Sequence, residues 1–207
     1  MAFPDQLNRR IAALLLLTLA GCSYGQKQYL KSNFVPPRRV AVLPLDNHTN
    51  DLNGPDIVRY WFDQRLPEKK GYHTIPLEQI NETLQQLGIS DGGQLSALKP
   101  QQLGEKLQVD ALIYGDLLDF TYQTTGFLNI RKVRADFRMV DVLTGETLWE
   151  GEGLGANSEG GLSGGAALQA GFKAIGTQFA EKAMGSPLRT ETWDMIWNAI
   201  EYLPAAK

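Results

Sequence analysis

One cysteine, two histidines and no apolar run of twenty residues: these scarcities narrow the possibilities for this 207-residue chain. A lone Cys22 cannot form an internal disulfide, so the fold must stand on its hydrophobic core. Two histidines, His48 and His73, leave little material for imidazole-based catalysis or a multi-histidine metal centre. There is no basic excess, with 20 Lys and Arg against 23 Asp and Glu, which excludes an electrostatic footprint for nucleic acid. The longest apolar stretch, Ile11 to Ala20, is half the ~20 residues that a bilayer-spanning helix requires. No internal repeat is visible, and no heptad run is long enough for a coiled coil.

What is present begins at that stretch. Arg9 and Arg10 precede it, and Leu19-Ala20-Gly21-Cys22 closes it. A cationic head, a short apolar run and small residues before a cut describe a secretory signal. The four closing residues resemble a bacterial lipobox, in which the cysteine is acylated after cleavage. The expectation is a signal peptide over 1–21 and a diacylglycerol plus an N-acyl chain on Cys22, with no other cofactor. Each buried methylene contributes about 0.8 kcal/mol, and a stable anchor takes more than one chain. Ser23, rather than an aspartate, follows the cysteine, which in the sorting pattern such lipoproteins resemble favours export to the outer membrane over retention at the inner one; the expected location is its periplasmic face. Without residues 1–21, which hold Arg9, Arg10 and Asp5, Lys plus Arg falls from 20 to 18 and Asp plus Glu from 23 to 22. The mature net charge of −4 is that of an ordinary soluble surface.

Residues 22–38 are polar and carry Pro36-Pro37, the composition of a tether with a stiffened end. Val40 to Leu45 is a continuous apolar run, which predicts a strand buried on both faces. Asp46 to Gly54 is a polar loop, and Pro55 with Asp56 opens a helix bearing Ile57, Val58, Trp61, Phe62 and Leu66 on one face, ended by Pro67. Short elements follow: a strand at 72–75, a helix at 77–87 stopped by Gly88, a loop at 90–98, a helix at 99–107 and a strand at 111–119. From 130 to 142, Val133, Ala135, Phe137 and Met139 alternate with Lys132, Arg134, Asp136 and Arg138, a strand with one wet face or at a sheet edge. Leu143-Thr144-Gly145-Glu146 turns into Thr147 to Glu150, a hairpin. Strand–helix alternation followed by a meander predicts an α+β domain over 39–153, an approximately five-stranded mixed sheet with helices mostly on one side. Residues 154–207 read as a glycine-rich loop and two helices.

Val40-Ala41-Val42-Leu43-Pro44-Leu45-Asp46-Asn47, Ile113-Tyr114-Gly115-Asp116 and Val140 to Trp149 resemble segments of a group of envelope domains. The group comprises the amino-terminal domain of TolB, the penicillin-binding-protein activator LpoB and the periplasmic part of the curli exporter CsgG. Over most of its length, lipobox included, the chain resembles a family of bacterial outer-membrane lipoproteins whose members tend to be encoded beside a CsgG-like protein. The resemblance implies a helix-backed mixed sheet that works through protein partners, a CsgG-like one among them. It implies no reaction.

Candidate chemistry is thin. Asp46, His48 and Asp51 suggest a metal, but one imidazole with no second His or Cys at ligand spacing reads as a self-bonded polar loop, so no metal is expected. Gly151-Glu152-Gly153-Leu154-Gly155-Ala156 matches the letters of a dinucleotide fingerprint without the helix that must open directly after it. Ser163 lacks the flanks of a nucleophile elbow. The chain therefore reads as a non-enzyme. Two apolar stripes, Leu168, Phe172, Ile175 and Phe179, then Trp193 and Trp197 with Ile196, Ile200 and Leu203, pack a core or form a self-association or partner surface. Ala167, Gly171 and Ala174 would let the first of these helices approach a neighbour closely, and Thr190 or Thr192 would cap the second. The expected role is a membrane-anchored assembly component of an envelope export or transport system. The alternative is a module binding a small ligand or peptidoglycan through loops at 46–54 and 121–129.

Overall fold

The computed structural model describes residues 26–125, 128–160 and 187–206. Seven strands form one sheet: β1 (Gln28–Leu30), β2 (Arg39–Val42), β3 (Asp46–Asn47), β4 (His73–Thr74), β5 (Ala111–Thr125), β6 (Leu128–Asp141) and β7 (Thr147–Gly160). Their order is β1-β7-β6-β5-β2-β4, with β3 continuing beside β5. β2 pairs in parallel with β4 and β5, whereas β5, β6, β7 and β1 form an antiparallel meander. The mixed sheet expected from the sequence is therefore present, with about two more strands than the five anticipated.

Among the described residues four helices flank it: α1 (Gly54–Lys70), α2 (Leu77–Gln86), α3 (Pro100–Leu107) and α4 (Arg189–Ile200). They lie on both faces, not mostly on one. Val40 and Val42 point into a core with Val58, Phe62 and Leu66 of α1 and Met195, Ile196 and Ile200 of α4. Ala41 and Leu43 point the other way, against Ile80 and Leu84 of α2 and Leu103 and Leu107 of α3. This is why the β2 run is apolar at every position. β6 alternates as expected: Val133, Ala135, Phe137 and Met139 are buried, while the intervening residues meet the open side of the sheet.

Local chemistry sets the helix ends. Asp51 Oδ1 accepts from Asn53 N at 2.9 Å and Gly54 N at 2.7 Å, satisfying free donors where α1 begins. Pro67 does not stop α1, as the sequence suggested. A helical proline forfeits one backbone hydrogen bond, and the helix continues to Lys70 before Gly71, at φ 73°, ends it. The loop anticipated at 90–98 holds a 3-10 turn at Gly92–Ala97, opened by Asp91, whose side chain accepts from Gln94 N. Neither Thr190 nor Thr192 caps α4. Leu188 occupies that position, and Thr192 is buried within the helix.

Two further expectations give way to packing. The segment read as a tether supplies β1, hydrogen-bonded along β7 in the register Gln28↔Gly151 and Leu30↔Trp149. Of the glycine-rich stretch read as a loop from residue 154, the described part, up to Gly160, is instead the second half of β7. Glycine weakens a strand by itself, but Gly151, Gly153 and Gly155 alternate on the face that α4 covers. A methyl group at these positions would run into the backbone carbonyls of Ala199, Met195 and Glu191 respectively, four residues apart on the helix. The helix thus lies directly on bare strand backbone. Its first turn is fixed by a buried ion pair, Arg131 Nε to Glu191 Oε1 at 2.7 Å and Nη2 to Oε2 at 2.9 Å, and Asn198 donates to Leu154 O at 2.7 Å.

Candidate interaction surface

Where α1 and α4 meet, their outward faces form an aromatic and cationic ledge. Trp61 and Trp193 contact edge to face at 5.2 Å between centroids, and Tyr60 meets Trp61 in the same way at 5.2 Å. The Arg65 and Arg189 guanidiniums lie 4.0 Å and 4.2 Å from the Trp193 ring centre, close enough for cation–π attraction. A shallow cavity of about 200 Å³ opens between Arg65, Lys69, Trp193, Asp194 and Trp197. Trp197 is 52% exposed and Tyr60 50%, and the buried Trp193 Nε1 has no hydrogen-bond acceptor among the described residues. Large aromatics and arginines gathered at one exposed place are the side chains that dominate protein interfaces.

The apolar stripe of the last helix thus divides. Ile196, Ile200 and Leu203 are core, Trp193 is half-buried, and Trp197 faces solvent. The partner helix expected at Leu168, Phe172, Ile175 and Phe179, with its small residues Ala167, Gly171 and Ala174, lies outside the described residues, as do Leu19, Ala20, Gly21 and Cys22. The loop proposed at 121–129 for a small ligand is not a loop: Thr121 to Thr125 and Leu128 to Asn129 are paired strand. Nor does a helix open after Gly155, since β7 runs through the whole glycine pattern.

The open side of the sheet carries a second feature that the sequence reading missed. Asp46 of β3 pairs with Asp116 of β5, Asp116 with Asp136 of β6, and Asp136 with Glu152 of β7. Four carboxylates thus form a row across four strands. Glu152, 1% exposed, is matched by Arg134 Nε at 2.8 Å and the Lys27 backbone N–H at 3.2 Å. His48 Nε2 lies 3.6 Å from Asp46 Oδ2 and 3.5 Å from Asp116 Oδ1. Asp51, grouped with His48 in the sequence, instead accepts from the Asn53 and Gly54 backbone N–H groups where α1 begins. No sequence signal joins residues 46 and 116; the register of β3 on β5 does.

Asp136 is left most exposed to this crowding. Burial, then the neighbouring Glu152 charge, push its carboxyl above the usual range against the pull of Lys27 and Arg134, and Asp116 adds to the rise. A raised folded-state pKa means that the ionised carboxylate opposes folding, and that this opposition disappears as pH falls through the raised value. Asp136→Asn is therefore expected to stabilise the fold at pH 7.5, by up to about 1 kcal/mol as for relief of a like-charged cross-strand pair. In thermal melts the gain should vanish near pH 4. Equal gains at both pH values would contradict the assignment.

The family model described as putative lipoprotein GNA1162-like matches residues 27–189. Putative lipoprotein NMB1124/NMB1162 of Neisseria meningitidis serogroup B is 29% identical over 157 residues, 72% of each chain. Among solved structures, lipoprotein GNA1162 from Neisseria meningitidis matches with a TM-score of 0.55 and 24% identity, over 70% of this chain and 99% of that one. The PelC dodecamer from Paraburkholderia phytofirmans matches with a TM-score of 0.51 and 12% identity, over 88% and 99%. These likenesses bear out the fold expected from the sequence and the resemblance to envelope lipoproteins. No helix among the described residues is long and apolar enough to cross a membrane.

Proposed function

We infer that this chain, which belongs to the putative lipoprotein GNA1162-like family, is anchored by acylated Cys22 to the periplasmic face of the outer membrane and works there as a non-catalytic assembly component of an envelope export or transport system. The observation that carries the docking half is the Trp193–Trp197 ledge on α1 and α4, where half-exposed aromatics stand beside Arg65 and Arg189. Such a surface is desolvated at little entropic cost, since aromatic side chains have few rotamers to lose. Self-association is one use for it. PelC, which shares this fold, is a dodecamer. The lipobox residues Leu19 to Cys22 support the anchor.

Each half has its own test. Cys22→Ala is expected to leave the precursor unacylated and absent from the outer-membrane fraction; unchanged fractionation would refute the anchor. Deleting the last helix would not test docking, because Met195, Ile196, Ala199 and Ile200 belong to the core. Trp197→Ala and Tyr60→Ala spare that core and should change stability by no more than about 0.5 kcal/mol, as surface substitutions do. In sedimentation velocity of the detergent-solubilised full chain, both variants should show a smaller assembly than the parent. A monomeric parent that copurifies with no protein, or assemblies of unchanged mass, would reject the ledge as an interface.

A further inference from the structure

β3 continues the path of β2 for two residues and lies parallel to β5, which places Asp46 beside Asp116. Like charges directly opposed across strands are unfavourable, and here Asp136 extends the row on the same face. His48 follows β3 directly and is fixed by its own backbone, its N–H donating to Leu117 O at 3.0 Å. The imidazole is thereby brought to the two carboxylates, with Nε2 at 3.6 Å from Asp46 Oδ2 and 3.5 Å from Asp116 Oδ1. One donor atom from each of the three residues lies within 4.8 Å of the others. A tetrahedral zinc ion with bonds of ~2.0–2.1 Å holds its ligand atoms roughly 3.3 Å apart, so two edges of such a site need close by only a few tenths of an ångström. Beside this group, Asp136 Oδ1 is buried and accepts no hydrogen bond among the described residues.

We propose that Asp46, His48 and Asp116 form a binding site for a divalent transition-metal ion of the zinc class. The donor set is one neutral imidazole nitrogen and two carboxylate oxygens. Carboxylates alone would suit calcium or magnesium; the imidazole shifts preference to transition ions. Three protein donors leave a fourth position open, and the half-exposed side chains turn it towards solvent. Bound metal would neutralise the Asp46–Asp116 pair, tie the loop before α1 to β5 and offer its open position to water or to a donor from a docked protein. The site stands on residues remote in sequence from Cys22 and does not depend on the anchor.

An imidazolium held between two aspartates would give the same distances, and the experiment separates the two. The full chain, its cysteine acylated or alkylated so that no thiolate competes, is stripped with chelator and titrated calorimetrically with Zn²⁺, with Ca²⁺ and Mg²⁺ in parallel. Expected is one saturable Zn²⁺ site, weakened at least about ten-fold in His48→Ala and in Asp116→Asn and unchanged in His73→Ala. The His48 ring resonances should shift on addition of the metal. All three ligands are surface side chains, and a thermal melt in chelator verifies that each variant folds. Absence of Zn²⁺ uptake, uptake unchanged in both ligand variants, or uptake lost with His73 would overturn the proposal and leave the ion pair alone.

Discussion

Gly153→Val is expected to unseat α4 and to cost more than about 3 kcal/mol, enough to lower the thermal midpoint by roughly 10 °C in a chain of this size. The strand face that carries Gly153 has no room for a side chain. Even a single methyl group would overlap the Met195 carbonyl, and behind that carbonyl is backbone, not a flexible side-chain end. The helix must therefore lift, taking Met195, Ile196, Ala199 and Ile200 out of contact with Phe137, Met139 and Trp149 across the shared core. Overpacking alone typically costs about 1–3 kcal/mol, and each large apolar side chain that loses its burial adds about 1.5–3. Ala156→Val, on the exposed side of the same strand, is the control and should change stability by less than about 0.5 kcal/mol. Chemical denaturation of the two variants checks the expectation. A tolerated valine at 153 would mean that α4 does not rest on β7.

Glu191→Ala should be nearly as damaging, for an electrostatic reason. Arg131 is 6% exposed and Glu191 2%, and they meet through two hydrogen bonds at 2.7 and 2.9 Å, with the Tyr122 ring 5.3 Å from the guanidinium. Burial keeps water from replacing the carboxylate, so removing it takes a bidentate, charge-matched acceptor away from a desolvated guanidinium. Such a loss costs about 3–5 kcal/mol. The pair as a whole contributes much less, because both charges were desolvated to form it. Arg131→Met combined with Glu191→Leu is therefore expected to recover most of the stability that Glu191→Ala loses. A double-mutant cycle measured by urea unfolding resolves the two statements. If Glu191→Ala costs under about 1 kcal/mol, the pair is not buried as described. Because the pair is buried, its contribution should also change little between low and moderate salt.

These two residues mark the boundary of what could be read from sequence. Val40 to Leu45, the α1 stripe of Val58, Phe62 and Leu66, the β6 alternation and the turn at Gly145 were legible because neighbours in sequence carry the whole signal. The strand character of residues 151–160 was not. Glycine disfavours strands on its own account, and the reason for it lies in a helix some forty residues later. β1 escaped for a related cause: three residues are too few to show a period, and only the free edge of β7 recruits them. Arg131 and Glu191 read as two more surface charges until α4 brings them together. The cluster at His48 needed a strand register, Asp46 on Asp116, that no local pattern encodes. On the ledge, Trp193 and Trp197 were visible as aromatics on a helix, but Trp61, Arg65 and Arg189, which turn them into a surface, come from packing.

The proposed role sets this ledge against a protein at a membrane surface. The most direct test replaces Trp197 with a photo-crosslinking amino acid in the full-length lipoprotein in cells. Illumination should give one or a few discrete adducts of higher mass that contain protein, either a second copy of this chain or one envelope partner. The same probe at Ala156, exposed on the far side of the sheet, should give fewer. Adducts equal at both positions, adducts to lipid or peptidoglycan alone, or none at all would contradict the account.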